Sequence, residues 1–420
     1  MPPREKILVI CYTFPPAPGI GGRRWAKFSK YLAAAGYEVH VICAKNIRNE
    51  ISLWNADIAG NENIKVHPQL FTFQNLLANP RNIIEKAARK VLIYSLKKTK
   101  YTEIFITCFP NHKLWKKTEE LIRKEKIKTV IVSGDPFLFC NASKLKEQMG
   151  FKLILDYRDL WSDHSFYSTY VDLTKKQRGF LEASENYAIN NSDKVVTVDE
   201  DLKGILSKRL IDKTKDTFSV IHNGFDESEF KETARKEYHY SGSIKLFFGG
   251  NISFDKEEVL LHFADQFSKL KKNSPEVYSR TEISFFGNMG EKLFKKLQEF
   301  NLENLHVSQK LLPTPEYIHQ LSKFDAGMLL VSKDYPNSFY TKFTDYLYLN
   351  KFMVAIGYEG ELSAFLEKNN CGCAFTLQSN EVFFSTLHEK IKAFSKFPSE
   401  ITNQFDLKFL TQKYISLLKA

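Results

Sequence analysis

No run of eighteen apolar residues occurs in the chain, which excludes a membrane-spanning helix on length alone. Cysteine is scarce. The six residues Cys11, Cys43, Cys108, Cys140, Cys371 and Cys373 are too scattered to staple 420 residues. Three of the first four sit within or beside apolar runs, where a free thiol behaves as a small hydrophobe. Cys371-Gly-Cys373 has no partner pair, so the sequence predicts no zinc site and a reducing compartment. The first apolar run, Ile7 to Tyr12, breaks at Phe14-Pro15-Pro16 with no small-residue cleavage pattern behind it. A signal peptide is therefore not expected, and the expected location is the cytoplasm. Short repeats and low-complexity tracts are missing as well. Acidic residues are outnumbered, 49 against 60 lysines and arginines, for a formal charge of +11. That excess suits nucleic acid, an anionic membrane surface or phosphate-bearing substrates, and a lysine-rich solvated surface explains it equally. No recognised nucleic-acid module accompanies it, so nucleic acid is not an expected partner.

What is present alternates between short apolar runs and helical periods. Ile7-Leu8-Val9-Ile10 reads as a strand buried on both faces. A loop with Pro15, Pro16, Gly19, Gly21 and Gly22 follows, then Trp25, Phe28, Leu32 and Ala35 at helical spacing, ended by Gly36. Val39 to Cys43 completes a βαβ unit. Further strands are expected at Thr129 to Val132, Lys152 to Leu155, Lys194 to Val198 and Phe218 to Ile221. The alternation restarts with Ile244 to Phe248, Glu282 to Phe286, Ala326 to Val331 and Phe352 to Ile356. The fold class is therefore α/β, with two Rossmann-like parallel-sheet domains. The expected boundaries are residues 1–225 for the first domain, 226–243 for a charged linker, 244–402 for the second domain and 403–420 for a closing helix.

Sites, rather than the fold, must carry the function. Gly19-Ile20-Gly21-Gly22 is not G-x-G-x-x-G, and no acid ends the strand Val39 to Cys43, which argues against NAD. A glycine loop opening a helix still offers backbone N–H groups to an anion, and a tight strand-to-helix turn would use the same glycines. Five segments then fall in one order: Pro15-Pro16 with Gly19-Ile20-Gly21-Gly22-Arg23-Arg24; Leu155-Asp156-Tyr157-Arg158-Asp159-Leu160-Trp161; His222-Asn223-Gly224-Phe225-Asp226; Asn251 with Lys256; and Thr341-Lys342-Phe343-Thr344-Asp345-Tyr346-Leu347. In that order they resemble the family-4 retaining glycosyltransferases of GT-B fold that build bacterial polysaccharide and lipopolysaccharide. The resemblance covers nearly the whole chain.

The resemblance implies two domains facing a central cleft, with the closing helix crossing back onto the first. It implies a nucleotide-sugar donor, UDP- or GDP-linked, a glycan or lipid-linked acceptor, no further cofactor and no obligatory metal; no strand is followed by a D-x-D motif. Gly250, Asn251, Lys256, Lys342, Asp345 and Glu361 are the implied donor site, with Gly249-Gly250-Asn251 expected to open a helix beneath the phosphates. Gly21, Gly22 and Arg23 form the implied acceptor or diphosphate loop, and Asp159 and Arg158 the implied catalytic pair. Departures stand at Asn251, where an arginine is usual, at Asn337, where a first glutamate is usual, at Asp345 for glutamate and at Asn350 for a capping glycine. Physically, a departing diphosphate needs positive charge, which Lys256 and Lys342 supply, and a ribose diol suits a carboxylate such as Asp345. Each position has a plainer reading. The lysines suit a solvated surface, Asp345 and Glu361 suit first-turn helix acids, and Arg158 suits an ion pair with Asp156 or Asp163. Trp161 reads as core and His222 as a hinge residue.

Residues 81–100 carry an apolar helical stripe, Ile84, Ala87, Ala88 and Val91, among Arg81, Lys86, Arg89, Lys90, Lys97, Lys98 and Lys100. Such a helix can lie on an anionic leaflet, or rest on the first domain with a solvated basic face. Two alternatives to a transferase remain at this stage. One is a sugar-nucleotide 2-epimerase using His164. The other is an inactive GT-B scaffold that binds glycan or partners.

Overall fold

The computed structural model describes the chain apart from residues 1–3, 47–49, 70–79, 81, 99–111, 134–135, 161, 163–174, 213, 215, 231–238, 253, 334–335, 337–338 and 420. The chain divides into two compact units. One comprises Met1–His222 with Leu410–Ala420, the other Asn223–Phe409.

In the first unit β1 (Lys6–Cys11), β2 (Glu38–Ala44), β3 (Ile64–Gln69), β4 (Thr129–Ser133), β5 (Lys152–Tyr157), β6 (Lys194–Thr197) and β7 (Phe218–Val220) form one sheet in the order β3-β2-β1-β4-β5-β6-β7. Every pairing is parallel. Ile7, Leu8, Val9 and Ile10 are fully buried, as a strand covered on both faces requires. The helices are α1 (Arg23–Ala34), α2 (Ile83–Lys98), α3 (His112–Glu125), α4 (Pro136–Met149), α5 (Lys175–Asn190) and α6 (Glu200–Ser207). Gly36, at φ +97°, stops α1 in the left-handed conformation that a residue with a side chain avoids.

The second unit repeats the plan. Strands β8 (Ile244–Gly249), β9 (Thr281–Phe286), β10 (Leu305–Ser308), β11 (Ala326–Leu330), β12 (Phe352–Ile356) and β13 (Gly372–Phe375) order as β10-β9-β8-β11-β12-β13, again parallel throughout. Around them lie α7 (Glu257–Asn273), α8 (Pro275–Tyr278), α9 (Glu291–Glu299), α10 (Thr314–Ser322), α11 (Thr341–Tyr348), α12 (Glu361–Lys368), α13 (Val382–Ala393) and α14 (Ser399–Gln404), before the last helix α15 (Leu407–Lys419). Residues of α15 from Leu410 onward belong to the first unit, where the Lys152 ammonium donates to the Leu417 carbonyl over 2.6 Å. In each sheet the chain runs outward one way from the first strand and the other way from its neighbour. Loops at the carboxyl ends of those two strands diverge there, and that is where sheets of this kind hold ligands.

Part of the stretch expected as a linker is packed. Phe230 is buried, its ring stacked on Tyr348 at 4.2 Å between centroids. The remainder of that stretch, residues 231–238, lies outside the described residues.

Candidate functional site

The switch point of the second unit falls between β8 and β11. Beyond β8 the backbone stays beside its neighbour: Gly250 N–H donates to Phe286 O over 2.7 Å and Ile252 N–H to Asn288 O over 2.8 Å. This approach leaves no room for a side chain on Gly287, whose Cβ would lie 2.0 Å from the Gly250 oxygen. Gly250 has φ +148°, and a Cβ there would sit 2.6 Å from the Lys342 ammonium. Glycine is thus required where the loop passes beneath that lysine.

Lys342 is the second residue of α11, in the helix that follows β11. A cation in a first turn opposes the helix dipole. Its Nζ stands 5.2 Å from the centre of the Phe248 ring, and among the described residues it forms no hydrogen bond and no salt bridge. Burial pulls its pKa below the ordinary lysine value; Asp345 raises it and Lys256 lowers it further. Lys256 ends the turn Phe254–Lys256, with Nζ 5.9 Å from the centre of the Tyr340 ring. Its pKa is also lowered, chiefly by burial, against an opposing pull from Asp255. The Tyr340 hydroxyl in turn accepts from Ser332 N–H over 3.1 Å, fixing the loop after β11. Two partly desolvated ammoniums, Lys342 over the bare Gly250 backbone and Lys256 within its electrostatic reach, are thus accompanied by two acids, Asp345 and Asp255. The Lys342 ammonium, desolvated and with no hydrogen bond or salt bridge among the described residues, suits a further anion that can accept from it.

Two expectations about this unit need correction. Gly249-Gly250-Asn251 does not open a helix: α7 starts only at Glu257, because β8 continues its pairing with the β9 loop through Ile252. Asp345 is the fifth residue of α11 and not a first-turn acid, so the dipole does not account for it. Asn251 is exposed. Glu361 is the exposed first residue of α12, where the helix dipole favours a carboxylate. Asn350 has φ +56°, and its amide donates to Ser395 O at 2.9 Å while its oxygen accepts from Phe397 N–H at 3.0 Å. Those two bonds are beyond a glycine.

In the first unit the glycine loop and the end of β5 are joined by Arg158, whose Nη1 donates to Gly21 O over 2.7 Å. Gly22 ends the short turn before α1, Arg23 is buried as its first residue, and Asp159 is exposed beyond β5. The expected ion pair of Arg158 with Asp156 is not formed. Asp156 is fully buried and belongs to Arg24, with Nη2 to Oδ1 at 2.9 Å and Nε to Oδ2 at 3.2 Å. The carboxylate also accepts from Ser133 (2.6 Å), Trp25 Nε1 (2.9 Å) and the Tyr414 hydroxyl (2.5 Å). Arg24 further donates to the carbonyls of Ile221 and His222, both at 2.9 Å. The arginine beside it keeps the Asp156 carboxyl below its ordinary pKa despite burial, which alone would raise it. Sequence reading missed Arg24 and Tyr414. The available signal was an acid inside the apolar run Leu153 to Tyr157, since a buried carboxylate demands a cation.

A further polar cluster lies at the opposite, amino-terminal end of that sheet, where donor atoms of Glu38, His40 and Glu125 fall within 4.8 Å of one another. Glu38 accepts from Lys65 (2.7 Å) and Lys6 donates to Glu125 (2.6 Å), so lysines already supply its positive charge. Trp161, Asp163, His164 and Asn337, singled out from the sequence, lie outside the described residues.

Neither a protein-family model nor a curated protein matches the sequence. Solved structures do match in shape. A glycosyltransferase from Rickettsia africae is 15% identical with a TM-score of 0.61, over 99% of this chain and 98% of that one. An E. coli trehalose-6-phosphate protein bound with UDP-2-fluoro glucose is 10% identical with a TM-score of 0.57, over 99% of both chains. A Listeria monocytogenes protein assigned as a UDP-N-acetylglucosamine 2-epimerase is 12% identical with a TM-score of 0.52, over 99% and 96%. At such identities the likeness is one of fold. The chain has the GT-B-like α/β fold, two Rossmann-like domains whose parallel sheets have seven and six strands among the described residues.

Proposed function

We propose that this protein is a glycosyltransferase that moves a sugar from a nucleotide-diphosphate donor, UDP- or GDP-linked, to a hydroxyl of a glycan or lipid-linked acceptor. The observation that carries the reading is the position of Lys342. Its partly buried ammonium has no hydrogen-bonding partner among the described residues, faces the Gly250 backbone and lies near Lys256, at the carboxyl end of the β8–β11 pair. A diphosphate would supply the direct acceptors that the Lys342 ammonium lacks among the described residues. The fold likeness to a glycosyltransferase and to a protein bound with UDP-2-fluoro glucose supports the same class.

In this reading Lys342 and Lys256 neutralise the diphosphate as the bond to the sugar breaks, and Asp345 accepts hydrogen bonds from the ribose diol. The acceptor hydroxyl attacks from the face the leaving group departs, giving retention, and its proton passes to the leaving phosphate. No metal is obligatory in that scheme. Asp159 orients the acceptor, and Arg158 holds the loop of Gly21, Gly22 and Arg23. Membership of family 4 and a role in bacterial surface polysaccharide rest on the sequence motifs alone.

Thermal unfolding with UDP, GDP, CMP, ADP and NAD, on wild type and on Asp345→Ala and Lys342→Ala, tests this. A ligand at a hundred times its dissociation constant stabilises by about 2.7 kcal/mol. The expected result is a shift with UDP or GDP that both substitutions remove. No shift with any nucleotide would favour an inactive scaffold, and a shift with NAD alone would overturn the reading.

A further inference from the structure

The helix α2 (Ile83–Lys98) is amphipathic the wrong way round for a helix that rests on its own domain. Ile83 is 83% exposed, Ile84 79%, Val91 65% and Tyr94 58%. At about 100° per residue, Ile83, Tyr94, Ala87, Val91 and Ile84 follow one another within roughly 100° of arc. Ala87 and Ala88 are exposed too. Glu85, Arg89, Leu92 and Ile93 are partly covered and lie on the other side. The helix thus leaves its apolar arc exposed, with Lys86 and Lys90 beside it, and partly covers a mixed side of Glu85, Arg89, Leu92 and Ile93. An ordinary surface helix does the reverse.

The charge on this helix names what covers the arc. Lys86, Arg89, Lys90, Lys97 and Lys98 stand against the single acid Glu85. Lys86 and Lys90 are exposed and border the apolar arc on one side; the side chains of Lys97 and Lys98 lie outside the described residues. A protein partner with a purely apolar groove would leave those ammoniums uncompensated. An anionic lipid surface meets both halves at once, the apolar arc entering the acyl boundary and the lysines meeting headgroup phosphates. The helix is too charged to span, and no described helix is long and apolar enough to cross a bilayer. We propose that α2 docks the protein, lying flat, on a bilayer rich in anionic lipid. The proposal extends the lipid-linked acceptor of the function above and rests on that reading only for its purpose, because the binding itself needs no nucleotide or sugar.

Flotation of the full chain with vesicles of phosphatidylcholine alone, or with about 30% phosphatidylglycerol, tests it without any substrate. Binding is expected to the anionic vesicles, at least tenfold weaker to phosphatidylcholine, and weaker as salt rises. Lys86→Glu with Lys90→Glu should weaken binding at least tenfold. Ile84→Ser with Val91→Ser should do the same with unchanged thermal unfolding, since those side chains are already in water. Equal binding to both vesicle types would overturn the proposal, as would binding indifferent to either pair. So would a wild-type dimer in light scattering that the Ile84→Ser, Val91→Ser protein loses, because a second copy would then cover the arc. Failure here with an intact UDP or GDP shift removes the docking helix and leaves the transferase reading standing.

Discussion

The Lys342 ammonium lies so close to Gly250 that a Cβ on the glycine would come within 2.6 Å of Nζ and Cε. Gly250→Ala therefore imposes two penalties: a φ of +148° that alanine resists, costing about 1–3 kcal/mol, and displacement of the lysine from its place over the loop. Gly242 separates them. It has φ +95°, and a Cβ there would meet nothing within 4 Å. Both alanine variants should unfold at lower temperature than wild type. Only Gly250→Ala should weaken UDP or GDP binding, by about tenfold or more. Equal nucleotide affinity in the two variants would show that the contact with Lys342 does not matter.

Lys342→Met should stabilise the ligand-free protein. A lysine whose folded pKa lies below the ordinary 10.5 is destabilising while charged, and at neutral pH that penalty is fully present. It fades only as pH rises through the folded pKa. Methionine keeps most of the stem and removes the charge, so a gain of about 1 kcal/mol, or roughly 2–4 °C, is expected in unfolding temperature. The same variant should lose its response to nucleotide. In wild type, affinity for a diphosphate should fall as pH rises through the lysine pKa, and this dependence should be weaker in the variant. A lower unfolding temperature for ligand-free Lys342→Met would contradict the argument.

Arg24 and Asp156 form a buried pair whose halves are each costly to leave alone. Asp156→Asn or Arg24→Met should cost about 3–5 kcal/mol, seen in denaturant unfolding. The double variant Arg24→Met, Asp156→Leu should cost clearly less than the two together, because no uncompensated charge remains. Tyr414→Phe removes the charge-assisted hydrogen bond to Asp156 Oδ1, together with the longer one, 3.4 Å, that the hydroxyl accepts from Arg24, and should cost about 1.5–3 kcal/mol. Additive losses in the double variant would mean the two side chains act separately.

Most strands legible in the sequence are buried, such as Ile7 to Ile10 in β1 and Phe352 to Ile356 in β12; β7, an edge strand only partly covered, was legible as well. Those that were missed, β3, β10 and β13, all lie at sheet edges. An edge strand needs no continuous apolar run. β3 reads Ile-Lys-Val-His-Pro-Gln, and its proline is tolerated because, among the described residues, no strand pairs with the outer side of β3. At the site, Lys342 and Lys256 were found through motif register, since an isolated lysine carries no periodic signal. Their convergence depends on a pairing, β8 with β11, that joins residues about eighty apart. Arg24 escaped notice for the same reason: its partners at Asp156, Ile221 and Tyr414 are remote in sequence and meet it only in the fold.

His388 should make the protein more sensitive to acid. It is buried between the Tyr240 hydroxyl, 2.8 Å from Nδ1, and Thr281 Oγ1, 2.9 Å from Nε2. Thr281 spends its own proton on Val277 O at 2.8 Å, so Nε2 is the donor there; the Tyr240 hydroxyl has Gly242 O at 3.2 Å and Nδ1 at 2.8 Å, and its proton goes to the nearer Nδ1. That is a neutral imidazole. Burial first, and then the charge of Arg280, pull its pKa from the ordinary 6.5 to about 4. As pH falls, the unfolded chain takes up this proton before the folded one. The stability due to the neutral ring is thus complete above about pH 6.5 and is lost progressively down to about pH 4, on the order of 3 kcal/mol in all. His388→Gln, which keeps an amide to bond Tyr240 and Thr281 but cannot titrate, should be less stable than wild type at pH 7.5 and lose less stability on acidification. Other histidines with lowered pKa values, His40, His67 and His222, give both proteins a common slope, so the difference between the two curves is what reads His388. Denaturant unfolding of both proteins across pH 7.5 to 4, compared at each pH, measures it; two parallel curves would mean that His388 titrates alike in the folded and unfolded chain.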